Sequence, residues 1–393
     1  MSRRSWLLAA PSVFVLAWGG NHFTPLLHLY EVLGGYAPWQ VNLLLGMYVV
    51  GLIPGLLVAG AFSDQHGRKK AAAIGLVSAA LASVLLAMGL RSIVTLCVGR
   101  VLAGIGVGVA MSVGSSWIKE LSRMEPSPTA GARRSSMTLT LGFGIGAGVT
   151  GLLAQWGPIP AELPYVVHLA LCVVAAVALA RAPESLPASR RSTSPWWRDL
   201  AVPTAGHRIF RRVVLPAAPW VFAAAGVAYA VMPSVVEHRL GDATTLYATV
   251  LTVITLGVGA VFQALVPWIN RVTRGRALLV GLVGMVIGMA LAAVSAEVGD
   301  PALAFAVAAV LGASYGVCVV SGLVVAQSLA TPRDLAGITG VYYALTYVGF
   351  LLPTLLAAIL PVISYGASLV VVAAVCVVCL AIVSTGLRRT REN

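Results

Sequence analysis

The chain is a succession of long apolar stretches separated by short polar clusters. A helix needs about 20 apolar residues to cross roughly 30 Å of hydrocarbon. By that measure twelve stretches read as spanning helices, near 7–29, 41–62, 72–90, 93–117, 136–157, 163–181, 213–235, 245–268, 276–296, 302–327, 335–360 and 363–386. Twelve such helices leave little chain for any soluble domain. The predicted fold class is therefore an all-α polytopic membrane protein with twelve transmembrane helices. The stretches 302–327 and 335–360 are long enough to tilt or kink, and Pro353 offers a kink in the second. Residues 2–5 resemble the charged start of a secretory signal. The apolar run after them continues to about Tyr30 with no A-x-A site, so it reads as the first membrane helix.

Composition agrees. Of 393 residues, 59% are hydrophobic and 10% charged, with mean hydropathy +0.92. Soluble domains run at about 45–50% apolar and about 25% charged. Neither a water-soluble fold nor a disordered chain fits. The net charge of +13 changes the picture only through its placement. With the N-terminus in the cytoplasm, the outside holds only Arg91 and Arg239, and Arg100 falls within a span. The other Lys and Arg residues fall in cytoplasmic segments, as membrane topology requires. That asymmetry predicts both termini inside and excludes nucleic acid as a partner. Arg far outnumbers Lys, and Ala, Gly and Val abound, which points to a bacterial cytoplasmic membrane. The five cysteines (Cys97, Cys172, Cys318, Cys376, Cys379) lie in apolar stretches without metal-site spacing, so neither a metal nor a disulfide is expected.

The longest connection, 182–212, is rich in Pro, Ser and Arg and contains Trp196-Trp197-Arg198, a patch suited to the membrane surface. It divides the chain into two six-helix bundles, 1–181 and 213–393, the second ending in a short basic cytoplasmic tail. The halves are weakly similar. Shifted by 208 residues, Pro25 meets Pro233 and Gly67-Arg68 meets Gly275-Arg276.

The loop after the second span runs from Gly60 through Asp64 and Gly67 to Arg68-Lys69-Lys70. This is G-x-x-x-D-x-x-G-R-K, and on it the chain resembles the major facilitator superfamily. Gly60 would permit close helix approach, and Gly67 a tight turn. Asp64 would accept from helix N-terminal N–H groups or pair with Arg68. The resemblance implies two pseudo-symmetric bundles and makes Gly60, Asp64, Gly67, Arg68 and Lys69 a conformational latch. The fourth span, Leu96-x-x-x-Arg100-x-x-x-Gly104-x-Gly106-x-Gly108, is similar to the family's span-four motif, with Ala103 at its usual Gln. The family associates this arginine with coupling. The fifth span keeps Gly142, Gly146 and Gly151 of the family's antiporter motif, but Ala147 stands at its proline and Thr150 at a glycine. Gly104, Gly108, Gly142, Gly146 and Gly151 read equally as helix packing. Ala182-Pro183-Glu184-Ser185 is similar to the family's P-E-S/T ending and reads as a helix stop.

Trp18, Asn21, His22, Pro25 and His28 form one stripe of the first span. A polar stripe is unfavourable against lipid, so it is expected to face inward with Arg100. In the resembled family spans one, four, seven and ten line a central substrate cavity. That adds Tyr229, which the 208-residue shift places on Asn21, and Tyr315; Tyr342, Tyr343, Thr346 and Tyr347 on span eleven are either lining or interhelical packing. No acidic residue sits at mid-span. A cavity with Arg100, two His and several Tyr suits neutral or anionic amphiphiles better than permanent cations.

The expected function is secondary transport of a small amphiphilic organic solute by alternating access, as proton-coupled efflux. No cofactor is expected beyond an ion gradient, and the monomer in a lipid bilayer is the expected state. The nearest alternative is an importer or symporter of a small metabolite or anion, and another is a non-transporting scaffold or receptor. No catalytic residue is assigned. Gly312-Ala-Ser314-Tyr-Gly316 fits G-x-S-x-G, but that hydrolase motif needs a strand-to-helix turn and here lies within an apolar span.

Overall fold

The computed structural model describes residues 4–122, 130–191, 202–330 and 335–392. The described residues are helical between short connections, and no strand occurs among them. The first half contains α1 (Trp6–Asn21), α2 (Leu27–Gly34), α3 (Pro38–His66), α4 (Arg68–Met88), α5 (Ile93–Val109), α6 (Ser115–Leu121), α7 (Ala130–Trp156) and α8 (Leu163–Arg181). The second contains α9 (Leu215–Ala217), α10 (Trp220–Gly226), α11 (Met232–Val236), α12 (Thr244–Val272), α13 (Ala277–Val298), α14 (Pro301–Ser328), α15 (Leu335–Val348), α16 (Leu351–Ile359) and α17 (Tyr365–Glu392). The Trp196-Trp197-Arg198 patch lies outside the described residues.

Among the described residues, eleven helical segments are long and apolar enough to cross a membrane. The first span differs from expectation. It is not one helix over 7–29 but α1, a 3-10 turn at Thr24–Leu26, and α2. Pro25 has no N–H to continue the ladder, so the backbone tightens around it. The seventh span is interrupted in a related way. A wider turn at Val227–Val231 precedes Pro233, so the 208-residue shift carries one interruption close to the other. Span eleven breaks at Gly349-Phe350 between α15 and α16. The break sits one turn before Pro353, because a proline ring clashes with the carbonyl four residues earlier, here that of Gly349.

The outer surfaces are apolar. Val370, Val371, Val375 and Val378 on α17 and Val173, Val174 and Val177 on α8 are all at least half exposed. Contiguous apolar faces of this kind have no stable place in water, and hydrocarbon is the solvent they fit. Inside, small residues set the spacing. A Cβ at Gly104 would overlap the backbone of Tyr48 and Leu52, and one at Gly108 that of Gly55 and Leu56. Gly51 and Gly55 meet the backbone of Val101 and Ile105 in return, so α3 and α5 touch backbone to backbone through two small-xxx-small pairs.

The chain forms two compact units, residues 1–35 with 47–200 and residues 36–46 with 201–393. In the first, α1, α4, α6 and α8 enclose Leu16, Leu76, Trp117 and Leu179. In the second, α14 packs along α12 and α13, and α17 covers α13. The start of α3 belongs with the second unit, where Thr354 donates to the Asn42 carbonyl at 2.8 Å.

Candidate functional site

The interior of the first unit is polar where a lipid-embedded bundle would ordinarily be apolar. Trp18 and His22 sit one turn apart at the end of α1. His22 is 1% exposed, and its ring meets Tyr165 and His168 of α8 edge-on at centroid distances of 4.9 and 4.7 Å. Neither His22 nitrogen has a hydrogen-bond partner among the described residues. His168 is the opposite case. Its Nε2 lies 2.9 Å from the Val15 carbonyl, which can only accept, so Nε2 carries the proton and donates. Its Nδ1 then accepts from the Ser83 hydroxyl at 2.6 Å in the neutral ring. Tyr165, in contact with His22, shares a 2.7 Å hydrogen bond with the Tyr30 hydroxyl.

Arg100, on α5, is also 1% exposed. Its guanidinium lies over the rings of Phe23, next in sequence to His22, and Tyr48, 4.4 and 4.6 Å from their centroids. Two aromatic faces partly replace the water a cation loses on burial. A cation held this way keeps the donors of its planar fork aimed by its neighbours.

Helix α7 closes the group. A Cβ at Gly142 would meet Phe14 and Ala17 of α1, and one at Gly146 would meet Trp18. Both helices advance four residues between these contacts, so they run parallel there, and Thr150 lies buried one turn beyond Gly146. Thr150 Oγ1 and Trp18 Nε1 likewise have no hydrogen-bond partner among the described residues. Trp18, His22 and Thr150 thus give the interior of the first unit three buried polar side chains with unused hydrogen-bonding capacity. Gly151 is buried on the same helix.

The expected stripe on the first span needs correcting. It assumed one continuous helix, but the turn at Thr24–Leu26 separates His28, on α2, from Trp18, on α1, and from His22, which caps the end of α1. Asn21 is buried and accepts from Thr24 Oγ1 at 3.2 Å, and Pro25 is buried within the turn.

In the second unit Tyr229, Tyr315 and Tyr347 converge on Phe222 and Phe350. Phe222 stacks on Tyr347 at 4.1 Å and on Phe350 at 4.8 Å, and lies 5.7 Å from Tyr315. Tyr229, in the wide turn of span seven, lies 6.3 Å from Phe350. The Tyr315 ring rests on Gly259 of α12, and its hydroxyl bonds Gln263. Tyr342 does not join this cluster, since its hydroxyl donates to the Cys318 and Val319 carbonyls of α14. Ser314 lies mid-helix and donates to the Val310 carbonyl, so G-x-S-x-G forms no nucleophile elbow.

The loop between α3 and α4 is an ion-pair network within the first unit. Arg68 pairs with Asp64 and reaches both Glu120 oxygens, at 3.0 and 3.3 Å, while Ser185 also donates to Glu120. The α4 N-terminus is capped by Glu184 rather than Asp64: its oxygens accept from the Arg68 and Lys69 N–H groups at 3.1 Å each. Gly67 has φ +100°, and a Cβ there would strike the Glu184 carboxylate. Lys69 Nζ donates to the Ala180 carbonyl at 2.7 Å. Gly60 departs from expectation. A Cβ there would meet open space, and the close approach on α3 falls at Gly51 and Gly55 instead. Glu184→Ala is expected to lower stability by about 1–2 kcal/mol through the uncapped helix, read as a lower thermal midpoint.

His168, Tyr30, Tyr165, Glu120 and Glu184 were not among the sequence-based candidates. An ionisable residue inside an apolar span is a signal in its own right, and His168 met that criterion. Phe23, Tyr48, Phe222 and Phe350 carried none, because a buried aromatic looks the same in a core and in a site.

A family model described as Major Facilitator Superfamily matches residues 9–352. The plastidic glucose transporter 4 of Arabidopsis thaliana is 32% identical over 148 residues, 37% of this chain and 26% of that protein. The gallate transporter of Pseudomonas putida is 35% identical over 111 residues, 28% of this chain and 23% of that protein. The matched stretches thus span about a quarter of these relatives. Among solved structures, the nucleoside transporter NupG superposes with TM-score 0.74 at 12% identity, covering 98% of this chain and 99% of that one. The D-xylose-proton symporter superposes with TM-score 0.70 at 16% identity, covering 96% of each chain. At these identities the likeness is one of fold.

Proposed function

Because the chain belongs to the Major Facilitator Superfamily, we propose that it is a proton-linked secondary transporter of a small polar organic solute, neutral or singly anionic. It is a multi-pass membrane protein of a transporter family and not an enzyme. The observation that carries the proposal is the buried group of Arg100, His22, Trp18 and Thr150 inside a lipid-embedded bundle. Ionisable groups in membrane spans cost several kcal/mol and are kept where they serve a pathway. In this reading the halves 1–181 and 213–393 rock about a central solute site, with both termini cytoplasmic and the monomer as the working unit. The loop at Asp64, Gly67, Arg68 and Lys69 holds one access state. The aromatic cluster of Tyr229, Tyr315 and Tyr347 offers flat faces to a ring or an apolar edge of the solute.

Uptake by symport is the favoured direction. The relatives and structural neighbours are named for glucose, gallate, nucleosides and xylose, all small polar solutes, and one neighbour is named a proton symporter. Efflux is the second reading, and the glycines of α7 favour it, since they keep most of an antiporter-like pattern. Solute movement into intact cells and into everted vesicles, each with and without an uncoupler, separates the two. Uncoupler-sensitive accumulation in cells supports symport. Uncoupler-sensitive accumulation only in everted vesicles supports efflux, and no flux in either sinks transport altogether.

The two histidines packed edge-on give a sharper test. Leucine at position 22 fills a similar volume and leaves no protein group without a partner. His22→Leu is therefore expected to keep the thermal midpoint while proton-driven accumulation falls at least tenfold. His168→Leu removes the partner of Ser83, and is expected to cost about 1–3 kcal/mol of stability. The contrast is read by thermal melts and transport assays on the same two purified variants.

A further inference from the structure

At the head of span seven, Arg208, Arg211 and Arg212 line one cavity of about 370 Å³. All three side chains are exposed. The segment Phe210–Val214 is a wide turn that buries Phe210, Val213 and Val214 and leaves Arg208, Arg211, Arg212 and Leu215 on its outer face, Leu215 being 45% exposed one turn deeper into the span. None of the three arginines pairs with a carboxylate among the described residues. Like charges three and four positions apart repel, so this face is strained electrostatically unless an anion sits on it. The last span adds to the same corner. A Cβ at Gly386 of α17 would meet Val213 and the backbone of Arg212, and the exposed Arg388 follows two residues on. One turn before Gly386, Ile382 is 44% exposed.

We propose that this corner of the second unit is a binding site for the phosphodiester headgroup of an anionic phospholipid such as phosphatidylglycerol. Two observations select a lipid over a soluble anion. The arginine stripe continues downward into an exposed leucine, with an exposed isoleucine on the flanking helix, so charge gives way to an apolar wall within one turn. That is the order in which a lipid presents its headgroup and its chains. The site also lies at the end of a span, on the side where the chain concentrates its Lys and Arg. Arginine suits the task because its planar fork holds two phosphate oxygens at once. Topology demands basic residues on this side, but it does not demand three on one stripe around one cavity. The site is independent of the transported solute.

The test uses the purified full chain in neutral detergent, titrated with phosphatidylglycerol, phosphatidylcholine or inorganic phosphate. Bound lipid is counted by native mass spectrometry. Phosphatidylglycerol is expected to bind about tenfold more tightly than phosphatidylcholine, a difference of one good charge-assisted contact. Arg211→Gln with Arg212→Gln is expected to erase that preference. Arg271→Gln with Arg276→Gln, which removes equal charge from another basic loop of the same unit, is expected to leave it within about twofold. Should the first glutamine pair fail to fold, Arg211→Lys with Arg212→Lys replaces it, with an expected loss of at least threefold because lysine lacks the fork. Equal binding of the two lipids overturns the proposal. So does an equal loss in both glutamine pairs, an unchanged affinity in the lysine pair, or displacement of the lipid by millimolar phosphate.

Discussion

Arg100→Ala is expected to remove transport while the protein still reaches the membrane and elutes as a single species. The guanidinium is buried between Phe23 and Tyr48, next to the chain position of His22. A charge-assisted hydrogen bond from such a group to a solute is worth about 1.5–3 kcal/mol. That corresponds to roughly a 10- to 150-fold fall in transport at limiting solute. Arg100→Lys keeps the charge but loses the planar fork and much of the stacking on two rings. It is expected to recover only part of the activity. Initial rates in proteoliposomes, normalised to protein content, are the measurement. Full activity in Arg100→Ala would reduce the residue to a helix tie and remove the basis of the proposed solute site.

Gly104→Val should act on the fold instead. A Cβ there overlaps main-chain atoms of Tyr48 and Leu52, which cannot rotate away as a side chain can. The α3 and α5 backbones would have to separate along the seam they share through Gly51, Gly55 and Gly108. Overpacking of this kind costs on the order of 3 kcal/mol or more. Whole domains have only about 5–15 kcal/mol to lose. The variant is expected to accumulate poorly and to melt well below the wild type in detergent. Gly60→Val is the control. Its Cβ meets open space, so its thermal midpoint should stay close to the wild-type value. Fluorescence-detected size exclusion after a heating series distinguishes the two.

Much of the fold is legible in the amino-acid sequence. Apolar run length gives the spans, because a bilayer fixes how much chain a helix must contribute. What run length does not reveal is where a span breaks. The first span reads as continuous through Pro25, yet its ladder stops there, and span eleven stops a turn ahead of Pro353 for the same reason. The site was half legible. Arg100 and His22 stand out because charge is rare in lipid, and both are buried in the same bundle. Their aromatic walls did not stand out. Nor did the difference between the two neighbouring histidines, since only three-dimensional pairing shows that Ser83 and Val15 occupy His168 and nothing comparable occupies His22 among the described residues. Glu184 reads in sequence as the end of span six, while in space it serves the start of α4, more than a hundred residues earlier.

That last arrangement bears on biogenesis. The ribosome releases the beginning of α4 long before it makes residue 184, so the first turn of that helix emerges without its acceptor. Insertion of each span can proceed in order, but the amino-terminal bundle cannot be finished until the sixth has entered and its trailing segment has folded back. A nascent chain stalled before Glu184 would therefore present a frayed helix end to quality-control proteases. One long enough to have released Glu184 from the ribosome would already be closed.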